Sequence, residues 1–275
     1  MNNHLESVAF GRENPFQGVD GYRTEADRGP SLLSRLAPSL LFYLRTGKIV
    51  YVSSRLARAG AYDGRAWVSY SLAVVNALEK AGVKFDVRGL SNVDGTKGPV
   101  VLAANHMSTL ETFVLPCILR PRRPLTFIVK KSLLDYPWFG HVLRACDPIA
   151  VGRKNPREDL QTVMVEGARR LSEGASVVVF PQTTRTMEFD PEKFNSIGAK
   201  LAARSGVPLV PLALKTDAWG TGRIIKDFGP IDPKSAVRMH FGPPLSPEGK
   251  GDAAHRATIE FISGKFREWE NGGRG

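Results

Sequence analysis

The sequence predicts an α/β protein: a mostly parallel central sheet flanked by helices, preceded by an amphipathic N-terminal helical element. Three observations carry this reading. Short apolar runs of strand length recur from Phe85 onward, separated by longer stretches with helical periodicity. Two of those runs, Pro99–Ala104 and Ser176–Phe180, read as buried strands. Each leads into polar residues, Asn105-His106 in one case and Gln182-Thr183-Thr184-Arg185 in the other. Open α/β folds place their sites at that C-terminal edge of the sheet.

Residues 1–30 are polar and punctuated by Gly and Pro, and read as a poorly ordered segment. From Ser31 the pattern turns helical, with Leu32, Leu33, Leu36, Leu40, Leu41 and Leu44 in one stripe and Pro38 bending or dividing the helix. A second periodic stretch follows Gly64, with Trp67, Val68, Ser71, Leu72, Val74, Val75 and Leu78 near one face, and ends near Gly82. An amphipathic stripe more often meets a core than a lipid surface. Phe42, Tyr43, Trp67, Tyr70 and the arginines nearby favour a membrane-interfacial role for residues 31–83.

Residues 84–270 form the expected α/β domain. Phe85–Leu90 is a half-buried strand, and turn residues from Asn92 to Gly98 lead into the strand before His106. A helix from Thr109 to Leu119 carries Glu111 and stops before Pro121, after which Leu125–Val129 is a strand. Ser132–Cys146 reads as a helix interrupted by Pro137, with a short strand at Ala150. Pro156–Glu173 is an amphipathic helix that turns Leu160, Val163, Met164, Ala168 and Leu171 inward. Strands are expected near Val210, Ile224 and Met239, then a closing helix Asp252–Trp269 packed through Phe261, Ile262 and Phe266, and a loose tail Gly272–Gly275.

With 42% hydrophobic and 24% charged residues among 275, the chain can bury a full core and is not disordered. Its two cysteines, Cys117 and Cys146, form neither a disulfide framework nor a zinc spacing, and read as buried thiols. The histidines other than His106 have no companions at ligand spacing, so no metal is expected. A net charge of +11 and a pI near 9.8 call for an acidic partner. Nucleic-acid signatures are absent, which leaves an anionic membrane surface or a basic surface that merely keeps the protein soluble. No apolar run approaches the ~20 residues of a spanning helix, and no signal peptide is visible. The expectation is a peripheral protein on the cytoplasmic face of a membrane.

Glu111, five positions after His106, can turn back to the imidazole. A carboxylate on one ring nitrogen fixes the tautomer and stabilises the imidazolium formed when the other takes a proton. Arg185 stands among the hydroxyls of Thr183, Thr184 and Thr186, and its planar fork suits a phosphate. Read singly, either loop also fits a structural histidine or a solvated arginine. Their order within one α/β unit carries the functional reading.

The two loops together resemble the glycerolipid acyltransferase family, whose best-known members are 1-acylglycerol-3-phosphate acyltransferases. Asn105, His106 and Glu111 stand on the family's Asn-His motif, with Glu where Asp is usual. Phe180, Pro181, Thr184 and Arg185 match its Phe-Pro-Glu-Gly-Thr-Arg motif, with Gln182 and Thr183 in place of Glu and Gly. Phe127–Leu133 is similar to the Lys-bearing strand end, Pro137–Gly140 and Pro148–Arg153 to the next segment, and Gly206–Ala213 to the last motif. The resemblance covers about residues 85–245.

It implies transfer of a fatty acyl group from an acyl thioester, acyl-CoA or acyl carrier protein, to the hydroxyl of a lysophospholipid, foremost 1-acylglycerol-3-phosphate. His106 would be the general base and Glu111 its partner, with no cofactor beyond the thioester co-substrate. Arg185 would bind the acceptor phosphate, with Lys130 and Arg153 as further cations and Asn105, Ser108, Gln182, Thr183 and Thr184 as further substrate-binding candidates. Backbone N–H groups around Ser108 are candidate oxyanion donors. Ser108 itself lacks a nucleophile-elbow pattern. Gln182 removes a negative charge expected beside Arg185, and Thr183 would be strained at any positive φ. An acyl-thioester hydrolase using the same His–Glu pair and a non-catalytic lipid-binding relative remain as alternatives.

Overall fold

A computed structural model of the protein describes residues 13–25, 32–182, 184–223 and 225–272, with Leu32 and Leu33 described by their backbone alone. Period-2 alternation along the apolar strands divides the interior in two. In β3 (Val101–Ala104) and β7 (Leu209–Lys215), Leu102, Ala104, Val210 and Leu212 face one core, while Val101, Ala103, Leu209 and Ala213 face the other. Strands this apolar are stable only if helices cover both faces. The first core is closed by α3 (Gly64–Lys80) and α5 (Leu110–Leu119), through Leu72, Val75, Leu78, Val114, Leu115 and Ile118. The second is closed by α7 (Pro156–Ser172), α8 (Ile197–Ser205) and α9 (Asp252–Asn271), through Val163, Leu171, Leu201 and Ile262.

The remaining strands are β1 (Tyr22–Arg23), β2 (Phe85–Arg88), β4 (Leu125–Lys130), β5 (Ile149–Val151), β6 (Ser176–Val179) and β8 (Val237–Phe241). Among the described residues these eight form one sheet of order β1-β2-β8-β7-β3-β6-β4-β5. From β7 to β5 every neighbour is parallel, so these five strands end on one edge. β8 is antiparallel to β7 and parallel to β2.

Residues 13–25 correct the expectation of a poorly ordered segment 1–30. Phe16 is fully buried, and its ring meets Tyr22 edge-on at 4.9 Å. Asn14 donates to the Cys117 carbonyl at 2.7 Å. The hydroxyls of Tyr22 and Thr24 reach Glu79 Oε1 at 2.5 and 2.7 Å, and β1 pairs with β2. Isolated anchors hold this segment, and no periodic stripe announces them. The rest of 1–30 lies outside the described residues.

Residues 31–83 are likewise not one surface element. Pro38 begins a helix, where its missing N–H costs nothing: α1 (Leu32–Leu36) ends before it and α2 (Pro38–Arg58) starts on it. In α3, capped by the Asp63 carboxylate on Ala66 N–H at 2.8 Å, the apolar stripe enters the core. In α1 and α2 it does not: Leu36, Leu40 and Leu44 are 78%, 61% and 64% exposed, while Phe42 and Ile49 on the opposite face are buried.

Between β4 and β5 the expected helix is divided at Pro137 into a 3-10 turn, Lys131–Asp135, and α6 (Phe139–Ala145). The short helix α4 (Ser91–Asp94) takes up the first part of the stretch Asn92–Gly98 expected as turn. α8 is not foreseen in the sequence, because its nine residues give too short a stretch for the helical pattern to be recognised. Gly206 ends it at φ 64, in the left-handed conformation that Gly adopts without a Cβ penalty. Ile224, where a strand was expected, lies outside the described residues, as do Thr183 and the tail beyond Gly272; β7 and β8 are joined by a loop with an isolated Trp219–Ile231 bridge.

Candidate active site

The five parallel strands carry the candidate residues to one edge of the sheet. His106 follows β3, Thr216 follows β7, Gln182 and Arg185 follow β6, Lys130 ends β4, and Arg153 follows β5. β3 lies between β7 and β6, which puts the Arg loop directly beside the His loop. Lys130 and Arg153 sit two and three strands from β3, at about 4.8 Å per step. Both are exposed, so they form the outer part of the edge.

Glu111 is fully buried at the start of α5 and turns back on the loop that precedes it. Its Oε2 is bonded to His106 Nδ1. Its Oε1 accepts from Met107 N at 2.8 Å, Ser108 N at 3.0 Å and Thr216 Oγ1 at 2.6 Å. A buried carboxylate is tolerable only when so fully hydrogen-bonded. The longer Glu therefore fits without distortion: one oxygen closes the loop on itself while the other holds the imidazole. With Nδ1 committed to the carboxylate, Nε2 is the nitrogen left to handle a proton. The His106 ring lies on Phe180, 4.3 Å between centroids at 20°, which fixes its plane.

Several sequence candidates turn out to be structural. Asn105 uses both ends of its amide on Leu214, donating to the carbonyl at 2.7 Å and accepting from N–H at 2.8 Å. It extends the β3–β7 pairing by one side chain and is 1% exposed. Ser108 is buried, with its hydroxyl on Thr216 Oγ1 at 3.0 Å. The N–H groups of Met107 and Ser108 are spent on Glu111, so the expected oxyanion donors around Ser108 are not available.

Gln182 is also corrected. It is buried, accepts from His106 N–H at 2.8 Å and donates from Nε2 to Thr186 Oγ1 at 2.8 Å. Thr186 N–H returns to the His106 carbonyl at 3.0 Å. Because the Thr186 hydroxyl donates to the Glu188 carbonyl at 2.7 Å, its oxygen needs a donor from residue 182, which an amide supplies and a carboxylate does not. Gln182 thus clamps the two loops and does not point at Arg185. A carboxylate does stand beside Arg185, but it comes from Asp227, at 2.5 Å, in the β7–β8 connection. Thr184 is exposed.

The sequence reading missed Thr216 and Asp227. Thr216 carried a signal, as a hydroxyl immediately past the C-terminal end of an apolar strand. Asp227 carried none, lying in an irregular loop 42 residues from its partner.

Behind α5, a cavity of about 90 Å³ lies between α2, α3, α5 and α6, lined by Tyr62, Trp67, Tyr70, Phe113, Phe127 and Phe139 among others. Cys146 borders it, and burial pushes that thiol up to about 12; Cys117 nearby is shifted likewise, again to about 12. Both are free and inert as nucleophiles. Among the described residues no group of His, Cys, Asp and Glu is arranged to hold a metal ion.

The edge of the parallel sheet thus carries a buried carboxylate–imidazole pair and, on the adjoining loop, a guanidinium, groups that can perform base-assisted transfer to an anionic substrate. Residues 84–215 match the acyltransferase family model. Over 188 residues, 68% of either protein, the chain is 31% identical to the 1-acyl-sn-glycerol-3-phosphate acyltransferase of Pseudomonas aeruginosa. It is 27% identical over 208 residues to the enzyme of that name from Bacillus subtilis, covering 73% of this chain and 94% of the relative. The fold matches the crystal structure of the 1-acyl-sn-glycerophosphate acyltransferase PlsC from Thermotoga maritima with a TM-score of 0.62 at 19% identity, over 84% of this chain and 94% of that one. The chain belongs to the acyltransferase family and is an O-acyltransferase.

Proposed function

We propose that this enzyme moves a fatty acyl group from an acyl thioester to the free hydroxyl of 1-acylglycerol-3-phosphate, giving phosphatidic acid. The observation that carries the reading is His106, anchored through Nδ1 by Glu111 and adjacent to the Arg185 loop. His106 Nε2 takes the proton of the acceptor hydroxyl as its oxygen attacks the thioester carbonyl. Glu111 stabilises the imidazolium. Collapse of the tetrahedral intermediate breaks the C–S bond, and the departing thiolate takes the proton back from His106. Arg185 binds the acceptor phosphate, and Lys130 and Arg153 offer further positive charge on the same edge. The apolar cavity beside α5 suits part of an acyl chain. The reaction so drawn calls for no cofactor beyond the thioester, carried by coenzyme A or by acyl carrier protein.

The test is purified protein with labelled acyl thioester and a panel of lyso-acceptors, products separated by chromatography. Labelled phosphatidic acid that appears only with the phosphate-bearing acceptor supports the reading. Labelled free fatty acid released at the same rate without any acceptor would make the protein a hydrolase.

The exposed face of α1 and α2 supports attachment to an anionic membrane surface. Leu36, Leu40 and Leu44 recur at four-residue spacing, with Tyr51 seven further on, and Arg35, Lys48 and Arg55 are exposed beside them. Among the described residues no helix is long and apolar enough to cross a membrane, and the attachment proposed here is a peripheral one. Truncating the chain within α2 would cut a helix whose Phe42 is buried in the core, so point changes are the better probe. Replacing Leu36, Leu40 and Leu44 by Ser is expected to leave stability nearly unchanged, because all three are exposed. It should lower sedimentation with anionic vesicles, and the remaining binding should weaken with salt. Unaltered sedimentation would remove α1 and α2 from the membrane contact.

A further inference from the structure

The connection between β7 and β8 leaves the body of the protein as a preformed projection. Its neck is closed by the Trp219–Ile231 bridge and by Gly220 N–H, which donates to the Pro230 carbonyl at 2.9 Å. A Cβ on Gly229 would stand 1.8 Å from the Gly220 carbonyl oxygen, so the two arms of the neck approach as only glycine allows. The neck is tied to α2: the Tyr43 hydroxyl donates to the Gly229 carbonyl at 2.5 Å, and Ile231 N–H donates to Ser39 Oγ at 2.9 Å. At the tip, Phe228 N–H donates to the Ile225 carbonyl at 2.9 Å in a turn whose two apolar ends, Ile225 and Phe228, are 53% and 60% exposed.

The Phe228 ring lies 5.7 Å from that of Tyr43, and Tyr43 stands three residues from the exposed Leu40, the spacing of neighbours on a helix. The apolar face of α2 therefore continues through Tyr43 onto the projection. Charge is sorted there as well. Arg223 and Lys226 are exposed, whereas Asp227, the single acidic residue between Gly220 and Pro230, turns inward onto Arg185 at 2.5 Å and the Thr109 hydroxyl at 3.1 Å. We infer that the projection is a second membrane contact: Ile225 and Phe228 enter the acyl boundary of an anionic lipid surface while Arg223 and Lys226 meet its headgroups. The inference rests on the membrane attachment proposed for α1 and α2 and adds a separate element to it. Apolar side chains flanked by cations suit that boundary, and a preformed neck keeps the ordering cost of docking low. A second copy of the chain fits this face less well, because an isologous contact would bring the same cations together. Asp227 lies between Ile225 and Phe228 and holds Arg185, so the docked projection sets the Arg loop at the headgroup layer, where a bilayer-borne acceptor presents its phosphate.

The experiment is co-sedimentation of the full chain with vesicles of phosphatidylcholine alone and of phosphatidylcholine mixed with phosphatidylglycerol. Replacing Ile225 and Phe228 together by Ser should lower partitioning onto the mixed vesicles by roughly 10-fold. Ile225→Trp adds an interfacial anchor without removing the Phe228 contact with Tyr43, and should raise partitioning. Lys226→Gln should weaken binding to the mixed vesicles by up to roughly 5-fold and leave binding to phosphatidylcholine alone unchanged. Thermal melts of each variant establish that it is folded. With acceptor embedded in vesicles the double Ser variant should lose kcat/KM in step with its binding, while a soluble short-chain acceptor should be used at the wild-type rate. Sedimentation that is lost when Leu36, Leu40 and Leu44 become Ser but is unchanged in every variant of the projection overturns this inference alone. Sedimentation absent from the wild type, or unchanged in both sets of variants, overturns the membrane reading itself. A wild type that is dimeric in analytical ultracentrifugation without lipid, and monomeric once Ile225 and Phe228 are Ser, would give the face to a second copy and also overturns the inference.

Discussion

The His loop after β3 and the Arg loop after β6 lie side by side, yet they are built to opposite rules. In the His loop nearly every polar group has a fixed partner: Asn105 on Leu214, His106 N–H on Gln182, Met107 and Ser108 N–H on Glu111, and the Ser108 hydroxyl on Thr216. In the Arg loop Thr184 is exposed, Met187 is 50% exposed, and Arg185 holds one exchangeable partner. The contrast fits what each loop would do in the proposed reaction. Proton transfer needs heavy atoms within about 3 Å and an aligned ring, so the base is locked in advance. A phosphate is recognised through charge, which decays slowly with distance, so a site for one needs less strict placement.

The largest effect should come from breaking the locked side. His106→Ala removes the base, and kcat should fall by roughly 10²–10⁴-fold. A folded variant that transfers acyl groups at the wild-type rate would end the proposed mechanism. Glu111→Gln should come next, because it removes the charge facing the imidazole and brings an amide donor among groups that donate to Glu111. Glu111→Asp keeps the charge and should lose less. Both are read by steady-state kinetics alongside circular dichroism.

Thr216→Val probes the lock without touching His106. It removes a hydroxyl donor from a buried carboxylate, which should cost about 1–3 kcal/mol of stability, measured by denaturant titration, and should lower kcat with acceptor KM little changed. An unaltered midpoint would mean that Thr216 is not part of the anchor. The smallest effect on kcat is expected on the open side. Arg185→Lys retains the charge but loses the fork, so acceptor KM should rise while donor KM does not. Equal rises for both substrates would make Arg185 a structural residue and erase the contrast between the loops.

The elements with strong periodicity were legible in the sequence, and so was the pairing of His106 with Glu111. The fate of a periodic face was not. α2 and α3 both read as amphipathic, but the stripe of α3 meets α5 in the core while Leu36, Leu40 and Leu44 face outward. Periodicity reports that a face is apolar and is silent about what covers it. Gln182 failed for a related reason: its residue type suggested a lost charge beside Arg185, whereas its position makes it a clamp between loops.

By itself the sequence determined the alternation of strand and helix, the edge of the sheet that carries the His106–Glu111 pair, and the residue types of that pair. These are local properties, set by hydrophobic period and by spacings of a few residues. Only the tertiary structure decided that Thr216, 105 residues from Glu111, completes the carboxylate's hydrogen bonds, and that Asp227, 42 residues from Arg185, sits on its guanidinium. Such contacts arise from strand order and from where a connecting loop is tied down, and no local pattern encodes either. The physical reason is that a buried charge must find its partners in space, and in this fold the nearest groups in space are distant in the chain.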